Sequence, residues 1–161
     1  MDLSNRRRLT LKFCVDAKRA GMPRDQVENF LRAGYYPQAK QMIFHAACRA
    51  ADSPEGPKEI GMGGARGGCK SHSMFAQLTL DDCQRYPGLK VLMLRLVGKT
   101  QKEASRDLME KVLHMRPSRY TYNRSSGEIT FPNGSRIILG HFRTEADIDK
   151  YLGLELSLIH I

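Results

Sequence analysis

No apolar run in this chain approaches the roughly 18 residues that a membrane-spanning helix needs. No Cys-x-x-Cys pair occurs among Cys14, Cys48, Cys69 and Cys83, which removes the usual spacing of a zinc site and gives no disulfide framework. Behind Arg6-Arg7-Arg8 there is no apolar core of the kind a signal peptide carries, so a secreted product is not expected. A reducing cytoplasm is the simplest setting for four scattered thiols. Solenoid repeats and low-complexity tracts are lacking too. Acidic residues are scarce relative to basic ones: 17 Asp and Glu stand against 26 Lys and Arg, for a net charge of +9. Such a surface attracts polyanions, whether nucleic acid, nucleotide or acidic lipid, although a solvated basic surface has the same composition.

What is present is ordinary for a folded chain. Of 161 residues, 41% are hydrophobic and 27% charged, which favours one domain, or part of one, with a real core. The first fifty residues read as helical. Leu9, Leu11, Phe13, Cys14, Val15 and Ala17 form an apolar-rich stretch stopped by Gly21-Met22-Pro23. Val27, Phe30 and Leu31 form a short helical face before Gly34. Met42, Ile43, Ala46, Ala47, Ala50 and Ala51 follow helical spacing. Asp52-Ser53-Pro54-Glu55-Gly56-Pro57 is a turn-rich linker.

Beyond the linker the period changes. Lys58–Met62 reads as a short strand running into a glycine-rich loop, and a helix bearing Met74, Phe75 and Leu78 follows, ending at Pro87-Gly88. Val91–Val97 is a near-continuous apolar run, as in a strand buried on both faces. Thr100 and Glu103 match a capping box for a helix through Ala104, Leu108 and Val112. Ile129 and Phe131, then Pro132-Asn133-Gly134-Ser135, then Ile137 and Leu139 predict a hairpin with a two-residue Asn-Gly turn. Thr144–Asp147 predicts a cap for a short helix before Tyr151. This order of elements implies an α/β fold with a parallel sheet.

The chemistry concentrates in Gly64-Ala65-Arg66-Gly67-Gly68-Cys69-Lys70-Ser71, which fits the phosphate-binding pattern G-x-x-x-x-G-K-[ST] except at Cys69. Glycines let backbone N–H groups converge on phosphate oxygens, Lys70 would neutralise the β- and γ-phosphates, and Ser71 would bind Mg²⁺. A helix starting near Lys70 would aim its positive end at the anion. Where the pattern wants glycine, the Cβ of Cys69 is expected to force the backbone or crowd the phosphates. Either the cysteine is tolerated at reduced affinity, or it is a one-nucleotide sequence error (GGC to TGC).

Gly63–His72 reads GGARGGCKSH and resembles the GGARGGGKSH loop of tailed-phage terminase large subunits. The Leu94-Arg95 stretch, the hairpin Gly127–Ile137, Gly140-His141-Phe142 and Asp147–Glu155 also resemble that family's segments in order, over roughly residues 35 to 155. The resemblance implies a P-loop NTPase domain at 57–155, in front of which 1–56 is a helical segment, with an inserted β-hairpin. It implies an ATP hydrolase of viral DNA packaging that moves double-stranded DNA into a procapsid. Its cofactors would be ATP and Mg²⁺, and its partners a small terminase subunit, a portal protein and other copies in a ring, within the cytoplasm of the infected bacterium. The loop residues Gly63, Gly64, Ala65, Gly67, Gly68, Cys69, Lys70 and Ser71 would hold nucleotide. Gln41, after Tyr36-Pro37, resembles a glutamine that reads adenine; a solvated helix residue is the other reading. Arg66 and Arg95 resemble arginines that stabilise the γ-phosphate, against a DNA or surface contact for Arg66 and an ion pair at a strand end for Arg95.

The other polar candidates read more plainly. His45, His72, His114 and His141 are expected as surface or packing residues, and Asp81-Asp82 as a solvated pair. Lys99, Lys102, Arg106, Lys111, Arg116 and Arg119 either track a DNA backbone or belong to a solvated helix with Glu103, Asp107 and Glu110.

After Glu155 the family pattern continues with an apolar strand and an acidic pair that polarises the attacking water, then a C-terminal nuclease domain. Here the chain reads Leu156-Ser157-Leu158-Ile159-His160-Ile161. Those residues back-translate as CTG TCT CTT ATA CAC ATC, which resembles the mosaic end of a transposase-based sequencing adapter. The expectation is adapter read-through at 156–161, an incomplete ATPase domain that binds nucleotide but hydrolyses it poorly, and marginal stability with aggregation. Another P-loop DNA motor such as a helicase, or a non-hydrolysing nucleotide- or DNA-binding fragment, are the alternatives.

Overall fold

The computed structural model describes residues 2–64, 68–95, 107–113, 120–141, 144–151 and 153–160. The chain divides into two compact units, Met1–Asp81 and Asp82–Ile161.

The first unit is helical. Helix α1 covers Leu3–Arg19, α2 Arg24–Ala33, α3 Ala39–Ala50 and α4 Lys70–Gln77, and a π-helical stretch follows at Leu78–Asp82. The stops fall where the sequence places them. Gly34 ends α2 in the left-handed conformation at φ 71°, which a residue without Cβ adopts cheaply. Phe13, Ala17, Val27, Phe30, Met42 and Phe75 are buried and recur at helical spacing. One expectation fails here: Lys58–Met62 forms no strand. It holds one strong strand former, Ile60, between charged residues and a glycine, and a strand needs a neighbour to pair with its backbone.

The second unit is an α/β arrangement around a five-stranded mixed sheet of order β2-β3-β4-β1-β5. A short helical turn α5, Cys83–Arg85, precedes β1, Lys90–Arg95. Strands β2 (Thr121–Asn123), β3 (Glu128–Thr130) and β4 (Arg136–His141) form an antiparallel meander. β1 lies parallel to β4 on one side and to β5 (Leu158–His160) on the other. Val91, Leu92 and Met93 are consecutive and all buried, so β1 is covered on both faces, as its unbroken apolar run implies. Leu108, Met109 and Val112 are buried on a helical segment whose π-helical part is Met109–Leu113. The Thr100–Glu103 capping box lies outside the described residues.

The hairpin forms, with a different turn. Gly134 N–H donates to the Phe131 carbonyl at 3.0 Å and Phe131 N–H to the Ser135 carbonyl at 2.8 Å, enclosing a three-residue loop. Gly134 has φ 83°, whereas Asn133 is not in the left-handed region. Pro132 explains this: its ring holds φ near −65°, which suits the first central position of a type I turn followed by a left-handed glycine. The hairpin is also no mere insertion, because its second strand is the direct parallel neighbour of β1. A preceding hairpin, Asn123–Glu128, goes beyond the sequence reading. The Asn123 side-chain carbonyl accepts from Ser125 N–H at 3.0 Å and Ser126 N–H at 3.3 Å, and Gly127 closes the turn at φ 70°.

The expected cap before Tyr151 is present. Thr144 N–H donates to Asp147 Oδ2 at 3.1 Å at the start of a 3-10 helix, Glu145–Tyr151. That helix brings two of the ordered motifs together. The Tyr151 hydroxyl accepts from His141 N–H at 2.9 Å and donates to the His141 carbonyl at 3.1 Å. A Cβ on Gly140 would overlap the Tyr151 hydroxyl and Leu94 Cδ2.

Candidate phosphate-binding site

Helix α4 begins at Lys70, so its first backbone N–H groups belong to Lys70, Ser71 and His72 and have no partner within the helix. Cys69 caps this end in the left-handed conformation, φ 52° and ψ 24°. Among the described residues it is the one non-glycine with positive φ. The loop pattern asks for glycine at this position, and the backbone has the shape that explains why. For an L-residue with a Cβ it costs about 1 kcal/mol. Cys69 therefore carries the backbone strain expected of it.

The Lys70 ammonium donates to the Gly64 carbonyl at 2.7 Å, which closes the loop on itself across six residues. Gly64 has φ 140°. Ser71 is half-buried in the first turn of α4. Ser73 N–H donates to the Cys69 carbonyl at 2.9 Å, and Ser73 Oγ donates to the same oxygen at 3.0 Å. Gly63, Gly64, Gly68 and Cys69 are exposed, so phosphate has access from solvent. Ala65, Arg66 and Gly67 lie outside the described residues.

The other predicted site residues lie on other elements. Gln41 is buried, 5% exposed, rather than solvated, and its Oε1 accepts from Gln38 N–H at 2.7 Å at the start of α3. This is half of a capping box, and it occupies the carbonyl of the side chain. Arg95 ends β1 opposite His141.

A buried polar network behind α4 escaped the sequence reading. Asp81 is 0% exposed and Asp82 9%, so the expected solvated pair is in fact buried. The cause is compensation: Arg49 Nε lies 3.0 Å from Asp81 Oδ2, and Gln77 Nε2 donates to the same oxygen at 2.9 Å. Arg49 also pairs with Asp25, and Arg85 Nη2 with Asp82 Oδ1 at 3.0 Å. His45 is fully buried, with Nδ1 2.7 Å from Gln77 Oε1 and Nε2 3.1 Å from the Tyr35 hydroxyl. Burial lowers its pKa to about 4, against a smaller raising effect of Gln77. Burial raises Tyr35 to about 12, against a smaller lowering effect of the Ser73 side chain. His72 is half-buried, its ring centroid 5.5 Å from that of Tyr35. The available signal was Gln26, Gln41, His45 and Gln77 at positions where helical spacing faces the core. No pairing of them can be read from one dimension.

Among the described residues, no group of three or more His, Cys, Asp or Glu side chains could hold a metal ion. No helix among the described residues is long and apolar enough to cross a membrane. No family model, curated protein or solved structure matches the chain.

Proposed function

We propose that Gly63–Ser71 binds the phosphates of ATP with Mg²⁺, and that the chain is the front part of an ATPase of the terminase large-subunit type. The observation that carries the reading is the left-handed Cys69 immediately before the first turn of α4. The Lys70 ammonium on the carbonyl of Gly64 supports the reading, because it keeps a cation beside the glycine-rich segment. In this reading Lys70 exchanges that carbonyl for phosphate oxygens. The N–H groups of the first turn donate to the same anion, and the helix dipole favours its charge. Bound Mg²⁺ would neutralise phosphate charge, and Ser71 is the residue to hold it. Arg66 and Arg95 are the proposed stabilisers of the γ-phosphate.

Terminase type rests on the ordered motifs, not on the loop. The contact between Gly140-His141 and Tyr151 gives two of those motifs a common structural purpose. Double-stranded DNA, a small subunit, a portal and a ring of copies belong to this proposal, as does the cytoplasm of an infected bacterium. The net charge of +9 supports a polyanionic track.

The deciding experiment is calorimetric titration of the chain with Mg-ATP, beside the Lys70→Ala variant. Binding by the parent and its loss in Lys70→Ala supports phosphate capture. Equal heats from both sink it. A second reading, a fragment that binds nucleotide without hydrolysing it, is favoured by the strain at Cys69. ATP turnover measured in the same samples separates the two.

A further inference from the structure

Helix α1 is held to the rest of its unit along a narrow stripe. Phe13 and Ala17, four residues apart, are its buried side chains. Thr10, one turn before Phe13, has its hydroxyl 3.2 Å from that of Tyr36, and the Phe13 ring meets the Tyr36 ring edge-on. Residues three and four apart share a face of a helix. Leu11 and Val15 therefore form an apolar pair on a face turned away from Phe13 and Ala17, and they are 60% and 50% exposed. One turn before this pair stand Arg7 and Arg8, and one turn after it Lys18 and Arg19, all exposed. The face thus reads two cations, two apolar side chains and two cations along about 18 Å of helix.

Helix stability does not account for these cations. The first turn of α1 holds no acidic residue, and Arg6, Arg7 and Arg8 crowd the end at which the helix dipole is positive. Arg8 and Lys12, four apart, repel each other as well. Asp16 is shared between Lys12 and, at 3.9 Å, Arg19. Among the described residues, Arg7, Arg8 and Lys18 have no ion pair. The face is complementary to an anion, and its apolar centre narrows the choice of anion. A phosphate backbone would meet the cations and leave Leu11 and Val15 unburied. A lipid surface takes up a helix by a broad apolar face with cations at its borders, whereas here cations continue the line of the apolar pair at both ends. A second copy of the chain brings the same cations, at a net charge of +9. We propose that this face of α1 docks an acidic amphipathic helix of a partner protein, with apolar residues at its centre and Asp or Glu one turn to either side. The carboxylates pair with Arg7, Arg8, Lys18 and Arg19 and set the register. The apolar centre closes over Leu11 and Val15 and excludes water. None of the loop residues takes part, so the proposal stands apart from the phosphate-binding reading.

The test uses the full chain and a synthetic helical peptide with two leucines four residues apart and glutamates one turn to either side. Fluorescence anisotropy of the labelled peptide is expected to show saturable binding. Leu11→Ser combined with Val15→Ser is expected to weaken it about tenfold, as lost apolar burial would. Arg7→Glu combined with Lys18→Glu is expected to weaken it too, and to flatten its dependence on salt. An isomer of the peptide, with its leucines moved to the opposite face, is expected to bind less tightly than the first. All four substitutions lie at exposed positions, so the melting temperature should stay near that of the parent. Equal affinity for the two peptides overturns the proposal, as does parent-like affinity in the serine variant, because charge attraction alone would then suffice. Absence of binding overturns it as well. Tighter binding of a short DNA duplex or of phosphatidylserine vesicles through the same four residues assigns the face to nucleic acid or membrane, and likewise overturns it.

Discussion

At the scale of single residues, Cys69 and His45 carry the informative energetics. Cys69 has a left-handed backbone in which glycine is unstrained. Cys69→Gly is expected to stabilise the chain by up to about 1 kcal/mol, the strain released less the added backbone entropy. The same variant should bind Mg-ATP more tightly. Urea denaturation and calorimetry read the two effects separately, and an unchanged affinity would show that the cysteine does no harm at the site.

His45 is held neutral by burial, with a pKa near 4 against an ordinary 6.5. Between those values the unfolded chain carries a proton on this ring that the folded chain does not. Unfolding is therefore favoured as pH falls from about 6.5 to about 4, and the effect levels off below. The full difference is roughly 3 kcal/mol. Denaturation midpoints measured across that window should show the slope, and His45→Gln should flatten it. Tyr35 acts at the other end: its raised pKa removes stability as pH rises from about 10 to about 12.

At the scale of elements, Gln41 shows how a functional reading and a structural one part. Its carbonyl caps α3 through Gln38 N–H. Gln41→Ala is expected to cost about 1 kcal/mol in thermal or urea denaturation, as lost caps do. If Gln41 also reads adenine, the variant narrows the difference between ATP and GTP affinity. An unchanged ATP-to-GTP ratio leaves the cap as its whole role. The hairpin tells a similar story. Asn133 Nδ2 donates to the Cys83 carbonyl at 2.7 Å and Ser135 Oγ to the Tyr86 carbonyl at 2.6 Å, so its tip is anchored on the segment before β1. Alternation and Gly134 announced the hairpin. The turn type followed from Pro132, whose restriction on φ outweighs the Asn-Gly preference.

At the scale of the whole molecule, the sheet depends on strands far apart in sequence. β5 covers the side of β1 away from β4. Deleting residues 156–161 is expected to turn the buried apolar strand β1 into an open edge. Sedimentation should then show more aggregate than the 161-residue chain gives; an unchanged profile in the deletion variant would deny β5 that protective part. The pairing of Leu158–Ile159–His160 with Val91–Leu92–Met93 says nothing of the origin of those codons, since a short segment with two apolar residues satisfies such a register.

By itself the sequence determined the local matters. Helix stops at Gly21 and Gly34, the apolar strand at Val91, the hairpin around Gly134 and the phosphate-loop pattern up to Ser71 each follow from a few neighbouring residues. Glycine's backbone freedom, proline's fixed φ and periodic burial act over short distances and are legible there. Only the tertiary structure decided that Lys58–Met62 forms no strand, that Asp81 is buried against Arg49, and that His45 and Tyr35 meet side chains of α4. Those outcomes depend on partners tens of residues away, and a buried charge or amide takes its meaning from the group that faces it. The phosphate-loop pattern around Cys69 is thus written in sequence, while the buried partners of α4 are supplied by the fold.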